Sequence, residues 1–240
     1  MMFVQELWRY PVKSLAGERL DCIEVELFGL KGDRIVHIRK AGRRLITART
    51  HPKLLGLKAT LGPNNQPLIN GQPWESFEAL NLVRQAAGAE AELAYYGGVE
   101  RFDVLPLLVA TDGAISVFGH DSRRLRPNIV VGGVKTLEER TWPGQLLRIG
   151  TVLIGIQDLR ARCVMTTYDP DTLEQNPRIL KEIVARFDGE LALNCFVLSE
   201  GIIRLGDRVE LLRTADLEQS GGHNYARMSP SSTPNESRCP

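Results

Sequence analysis

The chain has 240 residues, 43% hydrophobic and 25% charged, which suits one large β domain or two ordinary ones and excludes disorder throughout. A formal charge of +1 excludes a global polycation that would coat nucleic acid. No segment reaches the ~20 apolar residues that span a bilayer, and Glu6 and Arg9 stand where an export signal needs an apolar run.

The first half reads as short strands and turns. Residues 3–8 are predicted as the first strand. Over 20–28, Ile23, Val25 and Leu27 alternate with Glu24 and Glu26, the period of a strand with one buried face. Gly29, Gly32 and Asp33 punctuate the turn before a strand at 34–39. Ala41-Gly42 then turns the chain into 43–49, which predicts a hairpin. A strand is expected at 55–61, and a helix at 74–88 with Phe77, Leu80 and Val83 on one side.

The second half begins near Tyr95. A buried strand is predicted at 105–110, then a short helix at 112–118 capped by the Thr111 hydroxyl. A strand at 128–131 follows. Both 146–154 and 202–211 read as strand, tight glycine turn, strand. Between them a helix starts at Pro177, with Leu180, Ile183, Val184 and Phe187 as its apolar stripe. Many short strands with few helices predict a barrel or sandwich. Residues 215–240 carry too little apolar surface to bury and are predicted as a disordered tail.

Charge is uneven. Residues 1–60 hold twelve Lys/Arg against six Asp/Glu. That pattern fits either one local anionic ligand or a solvated basic face. The cysteines are Cys22, Cys163, Cys195 and Cys239, with no CxxC or CxxH spacing, so zinc and ferredoxin-type clusters are not expected. Unpaired thiols in a cytoplasmic chain fit best. Cys163 stands out because it follows Arg160 and Arg162 and precedes a turn rich in hydroxyls and carboxylates at 166–172. Neighbouring guanidinium groups favour the thiolate, the form that attacks electrophiles or ligates a soft metal. The other reading is a small hydrophobe on a strand. Lys13-Ser14, Thr47-Ala48-Arg49 and Arg126-Pro127-Asn128 each offer donors for an anion, bidentate from arginine and point-like from lysine. Surface solvation is the competing reading for each.

Five motifs in order carry a resemblance: Tyr10–Ser14, Gly32-Asp33-Arg34, Thr47-Ala48-Arg49, Arg126-Pro127-Asn128, and Arg162-Cys163 with the 166–172 turn, closed by the Gly206-Asp207 turn. Over roughly 3–213 the chain resembles the MOSC-domain family, in the branch of the mitochondrial amidoxime-reducing component and its bacterial counterparts. The resemblance implies a mainly β protein with a few helices (α+β). It has an N-terminal β-barrel domain over 1–94 and a MOSC β-barrel domain over 95–214. It implies a molybdenum cofactor (Mo-molybdopterin) with Cys163 as metal ligand and catalytic residue. Lys13, Ser14, Arg49, Thr111, Arg126, Asn128 and Arg162 would hold the cofactor alongside Cys163. At the family level it also brings pyridoxal phosphate binding.

The implied activity is reduction of N-hydroxylated compounds, amidoximes and hydroxylamines, by oxygen-atom transfer to molybdenum. Electrons would come from a separate flavin or iron–sulfur protein, because no cysteine cluster follows Gly206. No nucleic acid or membrane partner is expected. The alternative is a sulfur- or cofactor-carrier module using Cys163 without turnover. The chain departs from relatives in three places. Residues 102–105 keep only Asp103 of an acidic, hydroxyl-rich stretch, the helix after Thr111 is cut short by Gly119-His120-Asp121, and Cys195 stands where an aromatic is usual. Among the histidines, His37 reads as packing and His51 as a loop residue, leaving His120 to test as a proton donor.

Overall fold

A computed structural model describes residues 1–213 apart from 41, 43, 99 and 100. The tail expected over 215–240 lies outside the described residues. The first half runs β1 (Met2–Arg9), β2 (Glu18–Leu20), β3 (Cys22–Glu26), β4 (Gly29–Leu30), β5 (Val36–Lys40), β6 (Ala59–Leu61), β7 (Pro67–Ile69), β8 (Gln72–Pro73), α1 (Phe77–Ala87) and β9 (Ala91–Tyr95). The second runs β10 (Leu107–Thr111), α2 (Asp112–Phe118), β11 (Ile129–Gly132), β12 (Leu146–Ile149), β13 (Val152–Ala161), α3 (Arg178–Phe187), β14 (Glu190–Ser199), β15 (Gly201–Arg204) and β16 (Arg208–Leu212). Among the described residues no helix is long and apolar enough to cross a membrane.

The ladder β11-β10-β14-β13-β12-β16-β1 closes on itself because β1 pairs with both β16 and β11. The result is a seven-stranded barrel, with β2 added outside on β1. All neighbours are antiparallel except β10 and β11, whose parallel pairing requires the crossover that α2 supplies. Inside stand Leu7, Leu107, Val109, Ile129, Ile154, Ile156 and Leu193, all buried. Each buried side chain of this size contributes about 1.5–3 kcal/mol. The predicted Thr111 cap forms, its hydroxyl accepting from Ala114 N–H at 3.1 Å. Gly119 closes the helix in the left-handed region, at φ 73°. The Asp112 carboxylate accepts from the N–H groups of Gly133 and Val134, fixing the exit of β11.

A second core gathers Val12, Leu15, Val36, Ile38, Leu54, Ile69 and Val83 between α1, the β5–β9 pair and the β6–β7–β8 sheet. The pairing predicted across Ala41-Gly42 forms but is short: Arg39 bridges Leu45, Ile46 N–H donates to the Ile38 carbonyl at 2.9 Å and Lys40 N–H to the Arg44 carbonyl at 2.8 Å, before Thr47 opens a turn that Thr50 N–H closes. The long partner of β5 is β9, which local reading did not foresee. The span 20–28 breaks at Asp21, and Pro52 starts a 3₁₀ helix, Pro52–Gly56, that shortens the next strand to β6. The predicted 202–211 hairpin is a corner. β15 pairs with β3 while β16 pairs with β1 and β12, and Asp207 accepts from Arg204 N–H at 2.7 Å to hold the bend. On α3 the buried stripe is Ile179, Ile183 and Phe187, packed on Phe118 and Leu125, while Val184 is 58% exposed.

Candidate functional site

One end of the barrel carries the site. There β1 exits into residues 10–15, β13 ends in Arg162-Cys163, residues 123–128 enter β11, and Asn194 comes from β14. Asp33, fully buried, ties these segments together. It accepts from Tyr10 N–H at 2.7 Å and from Asn128 Nδ2 at 3.3 Å, and it pairs with Arg34. Ser14, Arg34 and Arg126 all lie in the left-handed region, with φ of 75°, 55° and 57°. Non-glycine residues reach that region at a cost of order 1–3 kcal/mol each, and such strain collects where side chains must be aimed.

The cavity there has a volume of about 120 Å³. Of the residues expected to bind a cofactor, Lys13, Ser14, Arg49, Arg126, Asn128, Arg162 and Cys163 line it. Arg34, Thr47, Arg124, Arg160 and Asn194 line it as well. The wall thus holds seven cations against one carboxylate, Asp103, among the described residues. Asp103 bridges two of the cations, Lys13 Nζ at 2.8 Å and Arg49 Nη2 at 2.7 Å. Lys13 also donates to the Arg101 carbonyl at 2.9 Å. Asp169 holds Arg124 from behind at 2.7 Å.

Arg126, Arg160 and Arg162 form no salt bridge among the described residues. Arg126 donates to the Leu15 carbonyl at 2.7 Å and lies 4.3 Å from the Tyr10 ring centroid. Arg160 donates to Asn194 Oδ1 at 3.2 Å, and Arg162 Nη2 to the Leu125 carbonyl at 2.7 Å. The Nε of Arg162 is buried with no partner. Burial, reinforced by Arg34 at the first and Arg160 at the second, lowers Arg126 and Arg162 to about 10, so both stay cationic at neutral pH. Unpaired guanidinium groups and an orphaned N–H describe a receptor for an anion with several acceptors.

Cys163 is half-buried on this wall and opens the 3₁₀ helix Val164–Thr167. The 166–172 turn fixes its backbone: Thr166 donates N–H and hydroxyl to the Cys163 carbonyl at 3.1 and 2.9 Å. Cys195 belongs to the barrel core, where burial pushes its thiol up; its neighbour Asn194 faces the cavity instead. Cys22 is disulfide-bonded, against the expectation of unpaired thiols. Cys239 lies outside the described residues. Thr111 does not line the cavity; its hydroxyl is committed to the α2 cap and to Glu139 at 3.1 Å. His120 pairs with Glu182 at 2.9 Å away from the cavity, and His37 is buried and stacked on Tyr96. Sequence reading placed Arg34 in the Gly32-Asp33-Arg34 motif without assigning it to the site, and did not single out Arg124 and Asn194 as site residues. For Arg124 a signal existed, Arg123 beside it and the Arg126-Pro127-Asn128 motif two residues on; an isolated polar residue on a strand gave none for Asn194. Among the described residues no group of three His, Cys, Asp or Glu could hold a metal ion, so any metal here would take protein ligation from few side chains.

The family model described as MOSC domain matches residues 115–210, and that described as MOSC N-terminal beta barrel domain matches residues 1–90. Mitochondrial amidoxime reducing component 2 of Macaca fascicularis is 27% identical over 227 residues, covering 70% of this chain and 67% of the relative. Mitochondrial amidoxime-reducing component 1 of Mus musculus is 25% identical over 285 residues, covering 87% and 82%. Among solved structures the YUAD protein from Bacillus subtilis aligns with a TM-score of 0.49 at 14% identity, over 88% of this chain and 96% of that one.

Proposed function

This chain is a MOSC-domain protein carrying the MOSC N-terminal beta barrel domain, and we propose that it binds a molybdenum cofactor at Cys163 and reduces N-hydroxylated compounds. The observation that carries the reading is the cavity wall: one accessible thiol amid seven cations, with the buried Nε of Arg162 lacking an acceptor. A thiolate suits a soft metal, and the guanidinium groups suit a phosphate and the heteroatoms of a pterin. The residues present therefore fit the group. Lys13, Ser14, Arg34, Arg49, Arg126, Asn128 and Arg162 would hold it, and Cys163 would ligate the metal. When bound, the cofactor supplies a two-electron centre able to take oxygen from an N–O bond.

The chain's own part is binding, orientation and charge. Arg126 and Arg162 are held by backbone carbonyls, so they meet an anion with little loss of side-chain freedom. Asp103, held below the usual carboxylate range, is ionised at neutral pH and acts as a counter-charge, not a proton donor. No histidine among the described residues lines the cavity, so protons enter with solvent. Electrons come from a separate flavin or iron–sulfur protein, in a cytoplasmic setting.

The test is expression in a host that makes the cofactor, with elemental analysis and turnover of benzamidoxime under a chemical reductant. Near-stoichiometric molybdenum with amidine formation is expected. Labile sulfur without metal would favour the carrier reading, and neither would leave the cavity without this role.

A further inference from the structure

The Cys163 cavity shares Arg124, Arg126 and Met165 with a second cavity of about 490 Å³. Strand pairing builds its walls. Trp8 lies directly across from Arg19 in the β1–β2 ladder, which puts both side chains on one face. Ala16 bridges Lys58, bringing that lysine to the same rim. Gly17 cannot carry a side chain: an added Cβ would lie 2.4 Å from the Arg9 carbonyl oxygen and 2.5 Å from the Tyr10 ring. Met165 and Tyr168, from the turn after Cys163, form the facing wall.

The chemistry of this lining is aromatic and cationic. Its carboxylate, Asp171, is taken by Arg123 at 2.6 and 2.8 Å. The nearby Glu6 accepts from Trp8 Nε1 at 2.7 Å. Arg19 and Lys58 are exposed and form no salt bridge among the described residues. Flat aromatic faces with unopposed cations at the rim favour a planar anion and oppose a cation.

We propose that this second cavity binds the body of the substrate, and that the preferred substrates are N-hydroxylated arenes bearing a carboxylate. The ring packs against Trp8 and Tyr168, the carboxylate meets Arg19 and Lys58, and Arg124, Arg126 and Met165 form the threshold to the Cys163 cavity. The guest's being a substrate rests on the function proposed above; the site itself does not.

Trp8 reports occupancy directly. The purified protein is titrated with 4-carboxybenzamidoxime and with benzamidoxime while tryptophan fluorescence is followed. Saturable quenching by the acid is expected, with affinity roughly tenfold above that of the neutral probe. Arg19→Gln with Lys58→Gln should abolish the preference and leave benzamidoxime unchanged, and Trp8→Phe should remove the signal. Equal affinities, a preference that survives the double substitution, or a signal that survives Trp8→Phe overturns the proposal. The titration needs no molybdenum. An intact preference in a protein that never takes up the metal would sink the function and spare the site. A loaded, active enzyme with equal KM for both compounds would do the reverse.

Discussion

Asp103→Asn removes the sole carboxylate found on the Cys163 cavity wall while keeping the side chain's shape. Two ion pairs lose their anion. The Lys13 side chain is 10% exposed, that of Asp103 36% and that of Arg49 45%. At about 4 Å a pair of unit charges is worth ~4 kcal/mol at an effective dielectric of 20 and ~1 kcal/mol in water. With a third of Asp103 in solvent, the Lys13 contact is discounted to about 1–2 kcal/mol and the Arg49 contact to about 0.5 kcal/mol or less. The cofactor-free variant should thus unfold about 1–2 kcal/mol more easily at neutral pH. Burial opposes ionisation of Asp103, but the Lys13 hydrogen bond and charge, with Arg49, outweigh it and hold the carboxyl below its ordinary range. A folded-state value below the unfolded one means the stabilisation is complete above the unfolded pKa, near ~4, and fades as pH falls through the folded value. Wild type and variant should therefore converge in acid. Anion binding should move the other way, because Lys13 and Arg49 are released from an internal competitor. Pyrophosphate should bind the variant several-fold more tightly at low salt, with a steeper loss at high salt. Urea unfolding at neutral and acid pH and calorimetric titration read both effects. Unchanged stability at neutral pH, or pyrophosphate affinity equal to or below wild type, would refute this account of Asp103.

Arg126→Ala and Arg162→Ala should each cut molybdenum retained through gel filtration roughly tenfold or more, since a charge-assisted hydrogen bond is worth about 1.5–3 kcal/mol. The cofactor-free forms should keep the wild-type fold, because each guanidinium lacks a carboxylate partner and gives up one backbone-carbonyl hydrogen bond; wild-type retention in both would reduce the cradle to a basic lining. Thr111→Ala should lower stability by about 1–3 kcal/mol by uncapping α2 and stranding buried Glu139, with molybdenum content unchanged; lost molybdenum at unchanged stability would restore Thr111 to the site. Burial, then the charge of Lys13, lowers His37 to about 4. The unfolded chain, near 6.5, takes up that proton first, so stability falls by up to about 3 kcal/mol as pH drops from 6.5 towards 4. His37→Phe, which keeps the ring against Tyr96, should flatten that decline, and an unaltered slope would exclude His37 as its source.

Elements written in local chemistry were legible. Thr111 announced the cap of α2, Gly150 the turn between β12 and β13, and Pro177 the start of α3. Pairings decided across the chain were not. Nothing near Val36–Lys40 points to Ala91–Tyr95, some fifty residues away, as a partner of β5, and a turn at Ala41-Gly42 advertises only the short local pairing with 44–46. The 202–211 pattern is the same whether its two strands pair with each other or, as here, with separate sheets. On α3, Val184 and Ile179 are both apolar, and only the position of Phe118 and Leu125 decides which is buried. The site divides the same way. Motif residues such as Lys13, Arg126 and Cys163 were visible because each sits among other donors, and the barrel end places them on one cavity. Asn194 carries no such company in sequence; Arg124 does, and stands just outside the motif at 126–128. Thr111, expected as a cofactor contact, lies off this cavity, its hydroxyl serving a helix terminus and Glu139, and a hydroxyl reads alike in sequence whether it faces a ligand or a helix terminus.

The central claim is that Cys163 is the metal-binding thiol. Serine nearly matches cysteine in size but is a poor ligand for a soft metal. Molybdenum per chain, with turnover measured on the same preparations, should be compared for wild type, Cys163→Ser and Cys195→Ser from a cofactor-competent host. The account predicts that Cys163→Ser folds normally and loses molybdenum, turnover or both, while Cys195→Ser, altered in the barrel core, keeps both. Full metal and full turnover in Cys163→Ser, or their loss in Cys195→Ser alone, would contradict it.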